Sequence, residues 1–195
     1  YYNRATGESR FFGYTRFVDK NGDGENKRRW AKRRKEAYEG STMHFYRSLV
    51  QRKLKEEQFA VQNIYKKEMK REGGVPQNIT LNLGGSNSID IAVPVTEDSL
   101  LRVYSDSGYT IYEIKTADRL RVLYAKNTAL KQDITKNRIV GGQPRDGTVA
   151  GLRPFQPPIL VDYRGRLLTP MAAYNDGMWA FERLANMLPE DYEPE

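Results

Sequence analysis

Between Ile79 and Tyr124 the apolar residues fall on every second position, broken only by short turn signals. Ile79, Leu81 and Leu83 share one face of an extended segment. Ile89, Ile91, Val93 and Val95 share a face of the next, beyond Gly84-Gly85-Ser86-Asn87. Leu101 with Val103, Tyr109 with Ile111, and Leu120 with Val122 and Tyr124 continue the pattern. Period two is the mark of a half-buried strand. The breaks Asp106-Ser107-Gly108 and Thr116-Ala117-Asp118 are only three residues long. A parallel crossover needs about a dozen residues, so neighbouring strands must run antiparallel. The segment therefore reads as a meander, and helices elsewhere make the class α+β.

Those helices lie upstream, in residues 26–61. Asn26 is a fair N-cap for the first. At 100° per residue Trp30, Ala31, Ala37 and Tyr38 form one stripe, and Arg28, Arg29, Lys32, Arg33 and Lys35 fan over the opposite face. Arg34 falls in the apolar stripe, where its stem packs and its head escapes, or it meets an acid. Gly40 suits the left-handed position that ends a helix, and Ser41 can cap the next. In the second helix Met43, Phe45, Tyr46, Leu49, Val50 and Leu54 make a wide apolar arc. His44, Arg47, Ser48, Gln51 and Lys55 take the other face. Phe59, Val61, Ile64 and Tyr65 suggest a strand leaving it. The stripes predict that Trp30 and Tyr46 are buried and that Arg29 and Lys32 are exposed.

The remaining stretches carry weaker signals. Residues 1–18 suggest a hairpin turning at Thr6-Gly7. Asp19-Lys20-Asn21-Gly22-Asp23-Gly24 matches the first half of an EF-hand loop, but its twelfth position, which needs a bidentate Glu, is Trp30. The expectation is a turn before a helix, with no structural calcium. Residues 66–78 read as a loop. Residues 126–158 hold Gly141-Gly142, Pro144, Gly147, Gly151, Pro154 and Pro157-Pro158, and read as a long irregular excursion. Ile159–Leu168 reads as a hairpin around Tyr163-Arg164-Gly165, and residues 177–188 as a last helix ended by Pro189. The whole, 1–195, is expected to be one α+β domain, a fragment or processed portion of a longer chain.

Charge and composition narrow the chemistry. The chain has 32 Lys plus Arg against 25 Asp plus Glu. Lys27, Arg28, Arg29, Lys32, Arg33, Arg34 and Lys35 are seven bases with no acid among them; without them the chain is balanced, 25 against 25. One helix therefore carries the excess. No run approaches the ~18 apolar residues of a membrane helix. With one histidine and no cysteine, disulfides, Cys–His pairs and multi-His zinc sites are excluded. A serine triad could use only His44, with Ser48 one turn along. No Walker loop or G-x-G-x-x-G opens a helix, and no cofactor is expected.

Gly40-Ser41, His44-Phe45, Arg47 and Leu49, following the basic Arg28-Arg29-Trp30 helix, form a recognisable set. Val161-Asp162-Tyr163-Arg164-Gly165, Gly177-Met178-Trp179-Ala180-Phe181-Glu182 and Leu188-Pro189-Glu190-Asp191-Tyr192-Glu193-Pro194 extend it. With these motifs the chain resembles a Bacteroidetes family of envelope proteins that contain a carboxypeptidase-regulatory-like domain. The likeness covers residues 10–61 and 159–194 and is loose between them. In that family a signal peptide and a small β-sandwich domain come first, and residues 1–195 are expected to correspond to the portion that follows them.

The resemblance implies a non-catalytic module of the periplasm or outer membrane that binds other envelope components, with no catalytic residue to carry over. Its partner contact is expected in the 126–158 excursion. Arg28, Arg29, Lys32, Arg33 and Lys35 are the expected interaction residues, orienting the complex. Envelope proteins or an outer-membrane complex are the expected partners, with an anionic lipid surface as a further one. The alternatives are a basic nucleic-acid-binding module and a hydrolase using His44. Charge alone licenses only nonspecific association.

Overall fold

The computed structural model describes residues 16–18, 23–68, 88–106, 108–124, 149–181 and 187–194. The helices are α1 (Gly24–Tyr38), α2 (Thr42–Val50) and a single turn, α3 (Glu97–Leu100). The strands are β1 (Phe59–Glu68), β2 (Ser88–Val95), β3 (Leu101–Asp106), β4 (Tyr109–Ile114), β5 (Arg119–Tyr124), β6 (Val149–Pro154), β7 (Ile159–Asp162) and β8 (Ala173–Gly177). A 3-10 turn spans Met178–Phe181. The fold is α+β, and the described strand pairings are all antiparallel.

The strands divide into two sheets, ordered β2-β1-β5-β6-β8 and β3-β4-β7. The expected meander survives only as the β3–β4 hairpin. At the Thr116-Ala117-Asp118 break the chain changes sheet. Lys66 N donates to the Asp118 carboxylate at 2.6 Å, and Ala117 N donates to Asn63 Oδ1 at 3.1 Å. These bonds fasten the break to β1, so β5 pairs with β1 and not with β4. At the other crossing Thr96 opens α3, whose Leu100 is fully buried between the sheets.

The inner faces of both sheets close on one core. Val61, Leu120, Val122 and Leu152 come from the larger sheet, and Leu101, Ile114, Ile159 and Val161 from the smaller. Phe45 and Leu49 of α2, both 0 % exposed, and Trp179 complete it.

Three expectations change. The excursion 126–158 contains β6, a strand with partners on both sides; Gly151 and Pro154 read as breakers, but Gly151 leaves the space into which Asp176 of β8 folds. Lys66–Glu68, expected in a loop, extend β1. Of the expected last helix, 177–188, residues 182–186 lie outside the described residues; Met178–Phe181 form a 3-10 turn where a regular helix was expected, and Met187 to Pro194 form an irregular strap. The N-terminal hairpin lies almost wholly outside the described residues, as do most of the calcium-like loop and residues 69–87 and 125–148.

Candidate interaction surface: the basic helix and the junction that holds it

Helix α1 begins where Asp23 Oδ1 accepts from Asn26 N at 2.8 Å. The N-cap is therefore Asp23, with Asn26 inside the first turn. A carboxylate satisfies a free N–H there and complements the helix dipole better than an amide does. It also commits the Asp23 carboxylate of the calcium-like loop to the backbone. Only Tyr38 of α1 is buried. Trp30 is half-buried, which corrects the expectation for it, whereas Tyr46 is 5 % exposed as expected. The stripe drawn on the wheel exists, but the body of the protein meets it mainly at the last turn.

The expected interaction residues Arg28, Arg29, Lys32, Arg33 and Lys35 are all exposed on this helix. Arg29 donates to Asn26 Oδ1 at 2.7 Å. Among the described residues no carboxylate pairs with Lys27, Arg28, Lys32, Arg33 or Arg34. In the body, by contrast, Arg47, Arg52, Arg119, Arg153 and Arg166 each face an acid. Arg34 takes the first of its two expected courses, with its head in solvent. It lines a cleft of about 150 Å³ with Ala31, Lys32, Lys35, Tyr192 and Glu193.

The junction between α1 and α2 fixes how that helix leaves the body. Gly40 has φ +77°, and a Cβ there would lie 2.6 Å from the Tyr124 ring, so both conformation and space demand glycine. Its carbonyl accepts from Trp179 Nε1 at 2.8 Å. Its N–H donates to His44 Nδ1 at 3.1 Å, which places the ring proton on Nε2, facing Glu57 Oε2 at 3.1 Å. The imidazole lies among Tyr38, Phe59 and Tyr124, with centroids 4.7, 4.8 and 5.5 Å away. Burial holds its pKa below the ordinary value against the upward pull of Glu57. Ser41 caps α2 by accepting from His44 N at 3.2 Å.

Both ring nitrogens of His44 are thus engaged. Ser48, the expected neighbour in a hydrolytic pair, donates its hydroxyl to the His44 carbonyl at 2.7 Å. The structure does not bring Ser48 Oγ to the imidazole.

On the polar face of α2 His44, Arg47 and Ser48 are buried, at 4 %, 6 % and 3 % exposed, whereas Gln51 and Lys55 beyond its last turn are exposed. Arg47 explains the burial. Its guanidinium donates to the carbonyls of Arg164 at 3.3 Å, Glu190 at 2.7 Å and Tyr192 at 2.5 Å, and Glu193 lies 3.8 Å away. Gly165, at φ +76°, presses the β7 turn flat on α2, where a Cβ would come within 2.6 Å of Arg47 N. Asp162 folds that turn by accepting from the N–H groups of Arg164 and Arg166 at 2.9 and 2.8 Å and from Arg166 Nε at 2.7 Å.

The motifs quoted for the resemblance, far apart in sequence, therefore meet around α2. Arg47 itself gave one signal in the sequence. A five-donor cation that falls within a glycine- and aromatic-rich motif is suited to gather carbonyls.

No family model, curated protein or solved structure matches the chain. Among the described residues no group of three or more His, Cys, Asp or Glu is placed to hold a metal, and no helix is long and apolar enough to cross a membrane.

Proposed function

We propose that this protein is a non-catalytic binding module of the bacterial cell envelope, periplasmic or outer-membrane-associated, that docks an acidic surface of another envelope protein through α1. One observation carries the docking face. Lys27, Arg28, Arg29, Lys32, Arg33, Arg34 and Lys35 are exposed on a helix rooted by its last turn, and among the described residues no carboxylate pairs with Lys27, Arg28, Lys32, Arg33 or Arg34. Elsewhere the buried or half-buried arginines are mostly paired. An exposed cationic face speeds encounter with an anionic partner and fixes its orientation. The envelope assignment rests on the motifs at 40–49, 161–165 and 177–194. The engagement of both His44 nitrogens, and of Ser48 with a carbonyl, supports the non-catalytic reading.

Fractionation of the native cells, followed by cross-linking with mass spectrometry, tests both parts. Cross-links from α1 to an envelope protein are expected. They should disappear when Arg28, Arg29, Lys32, Arg33 and Lys35 are changed together to Gln. Recovery with RNA or DNA in the cytoplasm would replace this reading with the nucleic-acid one, whose affinity falls steeply with salt.

A further inference from the structure

The smaller sheet is bordered, among the described residues, by β3, and that border is unlike the others. Proteins blunt an exposed strand edge with proline, charge or added cover, because its outward N–H and C=O groups invite another strand. At the borders of the larger sheet, β2 contains Pro94 and β8 carries Asn175 and Asp176. β7 is continued by residues 166–168: Asp162 N donates to the Arg166 carbonyl at 3.0 Å and Leu168 N to the Leu160 carbonyl at 2.8 Å. β3 instead pairs with β4 residue for residue from Leu101 to Asp106, without proline or bulge. Arg102, Val103, Tyr104 and Ser105 are all exposed, Val103 by 46 % and Tyr104 by 44 %. Successive residues of a strand point to opposite faces, so both sides of this border stand open to solvent.

The ladder fixes which main-chain groups point outward. In an antiparallel pair, opposed residues alternate between those that exchange hydrogen bonds and those that do not. Lys115 N donates to the Leu100 carbonyl at 2.7 Å, so Leu100 and Lys115 are a bonded pair. Register then puts Arg102 with Glu113, and Tyr104 with Ile111, in the same class. Leu101, Val103 and Ser105 therefore turn their N–H and C=O groups away from β4. The Leu101 N–H donates back to the Glu97 carbonyl of α3. Val103 and Ser105 are left to present both a donor and an acceptor at the border.

We propose that β3 is the contact through which two copies of this chain pair, antiparallel about a two-fold axis at Tyr104. In that register Val103 lies opposite Ser105 of the second copy, and the outward groups of both satisfy one another. Centring the axis on Val103 would call on the Leu101 N–H, which Glu97 already holds. Tyr104 meets its own copy at the axis, in the closer class of cross-strand pair. Arg102 stands opposite Asp106 of the second copy, a favourable pair of unlike charges. The run Arg102-Val103-Tyr104-Ser105-Asp106 is thus self-complementary, and its charges select a second copy over an arbitrary strand. The Tyr104 ring is already ordered: its hydroxyl donates to Glu113, and the Arg102 guanidinium lies 5.4 Å from its centroid. Pairing therefore costs little further side-chain entropy. The contact uses neither α1 nor its bases and does not rest on the function proposed for that helix.

Sedimentation velocity of the whole chain over a concentration series tests this. A reversible monomer–dimer equilibrium is expected. Arg102→Asp and Asp106→Arg should each weaken the dimer about tenfold or more, because like charges then oppose each other twice across the axis. An equimolar mixture of these two variants should recover the dimer, since every opposed pair in the mixed species carries unlike charges. Val103→Pro removes an outward N–H and leaves the ladder to β4 intact, so it should give a folded monomer by circular dichroism. A monomer at every concentration, or a dimer that Val103→Pro or either charge change leaves intact, overturns the proposal. So does a mixture that behaves like its separate components. If the proline variant unfolds, the mixed charge variants decide alone. A monomer whose Val103 and Ser105 amides are slowed in exchange only by an extended segment of another protein gives the edge to a different occupant, and also overturns it.

Discussion

Replacing Arg47 by methionine removes the fork that holds three carbonyls while keeping most of the apolar stem. Hydrogen bonds from a charged donor contribute about 1.5–3 kcal/mol each. The three bonds do not simply add. The Glu190 and Tyr192 carbonyls sit on a surface strap and regain water when released, whereas the Arg164 carbonyl stays pressed on α2 by Gly165. Breaking one side of a buried charged contact typically costs 3–5 kcal/mol, so a loss of about 3–4 kcal/mol is expected. At roughly 2–4 °C per kcal/mol for a chain of this size, that lowers Tm by about 6–16 °C. Arg47→Lys keeps the charge but not the fork and should lose about half as much. Denaturant unfolding gives the energy. Limited proteolysis gives the mechanism, since cleavage within 187–194 should accelerate before global unfolding does. A loss below about 1 kcal/mol, or a full loss with the strap still protected, would refute the clamp.

Stability should fall as pH drops below about 6.5, the ordinary histidine value. Burial lowers the folded-state pKa of His44, so between the two values the unfolded chain binds more protons. His44→Asn, which keeps an acceptor near Gly40 N–H, should flatten that part of a pH series of chemical denaturations. Asp162 acts in a lower window. Burial raises its pKa, but the Arg166 and Arg164 N–H groups and the Arg166 guanidinium outweigh it and hold it below 3.8. Its contribution is full above that value and lost as pH falls through the folded one. Asp162→Asn should cost about 1–3 kcal/mol near neutrality, measured by the same denaturation. Trp179→Ala should cost about 3–5 kcal/mol and Trp30→Ala less than about 1.5 kcal/mol, because only Trp179 is fully packed; equal losses in a thermal melt would show that α1 is more deeply seated than described.

Local chemistry was legible wherever one residue decides the backbone. Gly40 and Ser41 mark the end of one helix and the start of the next, and the period-two runs mark β2 to β5. Partner choice was not, because the bonds that route β5 to β1 come from Asn63 and Asp118, and no periodicity reports a side chain that ties two distant segments. β6 was missed for a related reason. Glycine and proline weaken a strand locally, yet Gly151 is required by the carboxylate of Asp176. The burial of the polar face of α2 was invisible to the wheel. A wheel separates polar from apolar but cannot register that a strap of main-chain carbonyls covers the polar side. The exposed basic face of α1 was legible, since nothing in the fold contradicts a solvated run of like charges.

The acceptors of Arg47 lie 117, 143 and 145 residues further along the chain. A chain emerging from the ribosome therefore carries α2 without the full set of carbonyl acceptors of Arg47 until the strap at 187–194 has been made. Non-local closure of this kind slows folding, because loop entropy must be lost before any contact rewards it. Until the strap arrives the Arg47 guanidinium faces water with its carbonyl partners missing, so the arrival of residues 187–194 acts as a timing device for the closing of the fold.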